Sequence, residues 1–133
     1  MTEPFWLTRQ MVVAIHDEQL TIHGGASGLR DEGMLESALD RPKNRWSYEQ
    51  AELAELAAAY AFGIARNHPF VDGNKRAAIT VTAGFLKMNG YRLEFDDLEA
   101  YSFLIGLYES GEMRFTELET WLREHAFPEE SAT

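Results

Sequence analysis

Three features of the sequence predict an all-α bundle of about six helices packed around one buried central helix. Apolar residues recur at three- and four-residue spacing almost throughout, the period of a helix face rather than of a strand. The stretch from Gly73 to Met88 is apolar nearly all round, as befits a helix in the middle of a bundle. Capping signals and Gly or Pro breaks divide the remainder into segments of helical length.

The first helix is expected from Thr8, its N-cap, to Thr21, with Met11, Val12, Ile15 and Leu20 on one face. Gly24-Gly25-Ala26-Ser27-Gly28 breaks it. Asp31 then caps a short second helix that ends near Asp40. Arg41-Pro42 closes that helix, because the residue before proline is driven out of helical geometry. Residues 43–47 follow as an irregular basic loop. Ser47-x-x-Gln50 has the pattern of a capping box and opens a third helix. Its core stripe is Leu53, Leu56, Ala57, Tyr60, Ala61 and Ile64, and Asn67-His68-Pro69 ends it. After the central helix Asn89-Gly90 makes a stop, and Tyr91–Phe95 is extended. Two last helices open at the capping boxes Asp96-x-x-Glu99 and Thr116-x-x-Glu119. The reading is one domain over residues 1–128 with a frayed tail at 129–133.

Composition narrows the function. At 133 residues, 45% hydrophobic and 26% charged, the chain is a folded domain and not a disordered one. It has no cysteine, which excludes disulfides, thiolate nucleophiles and cysteine-based zinc sites. A net charge of −10 argues against nucleic acid or an anionic membrane as the main partner. No apolar run approaches the ~18 residues that would span a bilayer, and Met-Thr-Glu-Pro is no secretion signal. A cytoplasmic protein is expected. The acidity is uneven: residues 94–133 carry eleven acidic and two basic side chains, residues 1–93 eleven and ten. The acidic end is either a solvated surface or a face for a basic partner.

The segment that carries chemistry is His68-Pro69-Phe70-Val71-Asp72-Gly73-Asn74-Lys75-Arg76. It is a loop leading into the N-terminus of the central helix. With Asp72 as N-cap, the backbone N–H groups of Gly73, Asn74 and Lys75 lack intrahelical acceptors and lie at the positive end of the helix dipole. Gly73 lets a phosphate approach the backbone, Lys75 and Arg76 add two cations, and Asn74 adds an amide. Asp72 is either a plain cap or the carboxylate of a Mg²⁺ site shared with substrate phosphates. His68, with an ordinary pKa near ~6.5, is a proton acceptor held by Pro69 and anchored from the core side by Phe70. A base, an anion cradle and a metal ligand together describe phosphoryl or nucleotidyl transfer. The segment is not a Walker loop, which needs two spaced glycines before Lys-Ser/Thr.

His68-x-Phe70-x-Asp72-Gly73-Asn74-Lys75-Arg76 resembles the signature of the death-on-curing (Doc) toxins in the Fic superfamily. His16-Asp17, Gly24-Gly25 and Gly28-Leu29-Arg30-Asp31 resemble that family's N-terminal part. Phe85-Leu86 and Asn89-Gly90 resemble the part after its motif. The resemblance implies the all-α Fic/Doc fold and a toxin of a type II toxin–antitoxin pair. Fic proteins proper carry Gly where this chain has Lys75, and most transfer AMP. Doc-type proteins carry the Lys, and their archetype moves the γ-phosphate of ATP to a threonine of elongation factor Tu. On that resemblance His68 is the base and Asp72 the Mg²⁺ ligand, while Gly73, Asn74, Lys75 and Arg76 bind ATP phosphates. Lys75 fills the pocket for the far phosphates and offers an ammonium there, so the nucleotide lies turned round.

Several positions stay open. Arg66 is a phosphate contact or an exposed helix-end cation. His16 fits a packing or hydrogen-bonding role, and His23 and His125 are assigned nothing. Residues 41–48 fall where Fic proteins have a target-positioning flap, so Trp46 is a target contact or a core anchor. The Ser/Thr-x-x-x-Glu-Gly/Asn helix by which many Fic proteins restrain themselves is not found, since Gly28 stands four before Glu32-Gly33. An antitoxin folding as a helix on the bundle is therefore expected. The competing readings are an AMP transferase and a non-catalytic antitoxin-binding corepressor. A metal hydrolase is weaker, because no second histidine or carboxylate cluster accompanies His68 and Asp72.

Overall fold

The computed structural model describes residues 2–109 and 115–129, and within them the helical bundle forms. The helices are α1 (Arg9–His23), α2 (Glu32–Glu49), α3 (Leu53–Asn67), α4 (Asn74–Met88), α5 (Asp97–Glu109) and α6 (Phe115–His125). A two-stranded antiparallel ribbon joins β1 (Tyr91–Leu93) to β2 (Ala126–Pro128), with Arg92 opposite Phe127. The segment from Tyr91 is extended as predicted, whereas β2 has no counterpart in the sequence reading. The predicted frayed tail lies outside the described residues apart from Glu129, whose N–H bonds the Gly90 carbonyl at 2.8 Å.

The buried centre is a pair of helices. α3 packs against α2, α4 and α6, and α4 against α3, α1, β1 and α5. In α3 the predicted stripe is buried except for Leu53, which is half-buried at the first turn, and Ala58, Ala59, Gly63 and Ala65 are buried as well. Small residues make this possible, because they let neighbouring backbones close in. A Cβ on Gly63 would stand 3.1 Å from the Cα of Ala38 on α2. The aromatic core sits between α4 and the N-terminal segment: Phe85 packs on Tyr60 at 4.7 Å and on Trp6 at 5.9 Å between ring centroids. The Tyr60 hydroxyl accepts the Leu7 N–H at 3.2 Å, and burial pushes its pKa up to about 12.

Several boundaries differ from expectation, each for a physical reason. Thr8 is the N-cap of α1 as predicted, but Met11 is 41% exposed and does not join the buried face of Val12 and His16. α2 does not stop at Arg41: it runs through Pro42 to Glu49. Leu35, Ala38, Leu39 and Pro42 are all buried at helical spacing, so packing on α3 outweighs the cost of a proline inside a helix. Residues 43–47 are therefore helical, not a loop, and their backbone is not available for a flap that pairs main chain. Trp46 is half-buried and packs against the core. Ser47-x-x-Gln50 is no capping box, since Ser47 lies inside α2 and Gln50 is its left-handed C-cap with φ 46°. Asp96 does cap α5, accepting the N–H groups of Leu98 and Glu99 at 2.9 and 3.1 Å. α6 begins at Phe115, so Thr116 stands inside it and not ahead of it.

Candidate active site

The turn between α3 and α4 brings the two buried helices to one end of the bundle. His68 ends α3 in the left-handed region, φ 49° and ψ 56°, with its N–H still bonded to the Ile64 carbonyl at 3.2 Å. A non-glycine residue held there costs about 1–3 kcal/mol, a strain typical of functional turns. Pro69 follows and disfavours helical geometry at His68. Phe70 is buried and stacks face to face on His16, with ring centroids 3.7 Å apart. Asn74 clasps the turn from the other side. Its Oδ1 accepts the Phe70 N–H at 3.0 Å and its Nδ2 donates to the Phe70 carbonyl at 2.9 Å.

Asp72 is not the N-cap of α4; that position belongs to Gly73, at φ 76°, where a side chain would be strained. The N–H groups without an intrahelical acceptor therefore shift one residue on, to Asn74, Lys75 and Arg76. Ala77, the next, bonds the Gly73 carbonyl at 2.9 Å. The Asp72 carboxylate instead accepts the Gly73 N–H at 2.8 Å through Oδ1 and the Ala26 N–H at 3.2 Å through Oδ2. A Cβ on Gly25 would come within 2.9 Å of that Oδ2, so the glycine break after α1 makes room for this carboxylate. The buried His16 meets the Asp72 carbonyl at 2.7 Å through Nε2. A carbonyl only accepts, so His16 carries its proton on Nε2 and pins the turn from α1.

The loop after α1 runs beside this turn. The Val71 N–H bonds the Gly28 carbonyl at 3.0 Å, and the Arg30 and Asp31 N–H groups bond the Pro69 carbonyl at 2.7 and 3.1 Å. Leu29 and Phe70 form an isolated antiparallel bridge.

All six residues predicted for the site, His68, Asp72, Gly73, Asn74, Lys75 and Arg76, line one cavity of about 320 Å³. Asn74 contributes least through its side chain, which is committed to Phe70. The wall facing α4 comes from α1, through Gln19 and His23. The sequence carried a signal for them: Gln19 and His23 continue at helical spacing from the buried pair Val12 and His16. A second cavity of about 260 Å³ shares Gln19, His23, Lys75 and Arg76 with the first and continues along α4 to Ile79, Thr80, Phe95 and Ala100. Arg66 lies over the Phe62 ring at 5.6 Å and lines neither cavity. His125 stacks on Trp121, away from the site.

Burial lowers the pKa of His68 below its ordinary value, and the nearby charges of Arg30 and Lys75 lower it further. The imidazole is thus neutral at pH 7 and suited to accept a proton. Among the described residues no group of three or more His, Cys, Asp or Glu side chains could hold a metal ion. Asp72 is a lone carboxylate with each oxygen bonded to one backbone N–H, which fits Mg²⁺, an ion that takes one or two carboxylates and completes its shell with phosphate and water.

No helix among the described residues is long and apolar enough to cross a membrane. The model of the Fic/DOC family matches residues 6–86. The chain is 32% identical to Protein kinase doc of Escherichia phage P1 over 118 residues, 88% of this chain and 92% of that protein. It is 41% identical to Toxin Doc of Mycolicibacterium smegmatis over 75 residues, 55% of this chain and 58% of that one. With the family model covering residues 6–86 and nearly the whole chain aligned to a Doc relative, the chain belongs to the Fic/DOC family, and within it to the Doc group.

Proposed function

We propose that this chain is the toxin of a toxin–antitoxin pair and a protein phosphotransferase. It moves the γ-phosphate of ATP to a hydroxyl, a threonine of a translation factor such as elongation factor Tu, and so arrests growth. The observation that carries the direction of transfer is the second cavity. An adenine ring favours an apolar and aromatic wall, which Ile79, Phe95 and Ala100 supply. Phosphates favour the N-terminus of α4 and its two cations. A nucleotide with its base in the second cavity passes its phosphates by Lys75 and Arg76 and brings the terminal one nearest His68. The kinase name of the phage relative supports the same reading.

In this reading the target hydroxyl oxygen attacks the γ-phosphorus while a ring nitrogen of His68 takes its proton. The new O–P bond forms as the bond from the γ-phosphorus to the β–γ bridging oxygen breaks, and ADP leaves with that electron pair. Asp72 would hold Mg²⁺, which when bound neutralises phosphate charge. The N–H groups of Asn74 to Arg76 and the Arg76 guanidinium orient the phosphate chain. A cognate antitoxin, folding as a helix on the bundle, restrains the enzyme, in keeping with the relative named as a toxin.

The test is incubation of the chain with cell lysate and ATP labelled at the α- or the γ-phosphate. Protein labelled from the γ position alone is expected. Label from the α position would mean AMP transfer, and no label from either would favour a corepressor without catalysis.

A further inference from the structure

We propose that Arg30, on the loop before α2, is the positioning residue of His68. The inference rests on the functional reading above and names the side chain that holds its base. The Arg30 guanidinium donates from Nε to the His68 carbonyl at 2.6 Å and from Nη2 to the Asn67 carbonyl at 2.8 Å. These carbonyls end α3, where backbone acceptors have no intrahelical donor and the helix dipole favours a cation. Arg30 also uses its own N–H to hold the Pro69 carbonyl at 2.7 Å. One residue thus holds three consecutive carbonyls, those of 67, 68 and 69, across the turn in which His68 is left-handed. Such a backbone persists only where its surroundings over-determine it. Asn67 adds one further tie, donating from Nδ2 to the Met34 carbonyl on α2 at 3.0 Å.

The same guanidinium places a fixed positive charge beside the imidazole, and like charge disfavours the protonated ring. The other charged or titratable groups around His68 are Lys75 and Arg76 on α4, Asp72 on the turn and His23 on α1. Arg30 does not line the cavity, so it acts on the reaction through His68 and not on the substrate.

Arg30→Gln removes both the charge and the fork, whereas Arg30→Lys keeps the charge but cannot reach two carbonyls in one plane. Two readouts on the intact chain separate these effects: the titration of the His68 ring followed by NMR, and phosphate transfer as a function of pH. Both variants should lose about 10–100-fold in kcat, the scale of a misplaced catalytic group. In Arg30→Gln the ring should titrate at higher pH, and the acid limb of kcat/KM should move the same way. In Arg30→Lys both should stay near wild type. Unchanged kcat in both variants, or an unmoved His68 titration in Arg30→Gln, overturns the proposal. If Arg30→Gln does not fold, Arg30→Lys decides alone: reduced kcat with an unmoved acid limb supports the role, and full activity overturns it. If no substrate is phosphorylated by wild type, the functional reading fails, while the ring titration still judges Arg30.

Discussion

His68 sits under three constraints at once: a left-handed backbone, a proline behind it and two cations near its ring. Its lowered pKa has a direct consequence. The ring stays neutral as pH falls through the ordinary value of 6.5 and takes up a proton only below it, so the acid limb of kcat/KM should lie below pH 6.5. A pH profile on a purified target checks this, and a limb above 6.5 contradicts it. His68→Ala should lower kcat by about 10²–10⁴-fold with the fold intact, read by transfer assay beside circular dichroism. At this scale much of the site was legible, because six of its residues lie within nine positions of one local motif and line one cavity. Arg30, Gln19 and His23 were not assigned to it, since they reach the turn from about 40 to 60 positions away. The N-cap was misplaced by one residue because aspartate is so common a cap that its engagement with Ala26 cannot be read locally.

At the scale of elements, local signals worked wherever nothing overruled them. Thr8, Asp31 and Asp96 cap their helices as read, and Asn89-Gly90 ends α4. Pro42 and Ser47-x-x-Gln50 misled, because each is a local preference of about 1–3 kcal/mol set against the burial of a whole helix face. The stripe of Leu35, Ala38, Leu39 and Pro42 was visible and was the better guide. The close approach of α2 and α3 at Gly63 and Ala38 makes its own prediction. Gly63→Ala gains about 0.5–1 kcal/mol of helix propensity but drives a methyl to 3.1 Å from backbone that cannot swing aside. Overpacking costs about 1–3 kcal/mol, so the variant should be less stable. Urea unfolding checks it: a lower midpoint is expected, and a higher one would mean that α2 and α3 separate freely.

Across the whole molecule, charge is the least balanced property. With a net charge of −10, and residues 94–133 acidic by eleven to two, the folded state repels itself. The ion pairs that oppose this, such as Arg123 with Glu52 and Arg45 with Glu55, are at least partly exposed and individually weak. Screening should therefore win: the melting temperature should rise as sodium chloride goes from about 10 mM to 200 mM, where the Debye length falls below about 10 Å. A fall would show that surface pairs dominate. The other whole-molecule feature is the way α4 is braced. His16 holds the turn before it through the Asp72 carbonyl, and Asn89 after it exchanges hydrogen bonds with both backbone groups of Phe5 at 2.8 and 3.0 Å. Those partners are 56 and 84 residues apart in the chain. On a ribosome adding about 5–20 residues per second, α1 and the segment ahead of it emerge several seconds before the helix they brace. Both anchors are thus waiting when the histidine turn emerges: His16 can pin it at once, and Asn89 closes the far end on Phe5 only when α4 is complete.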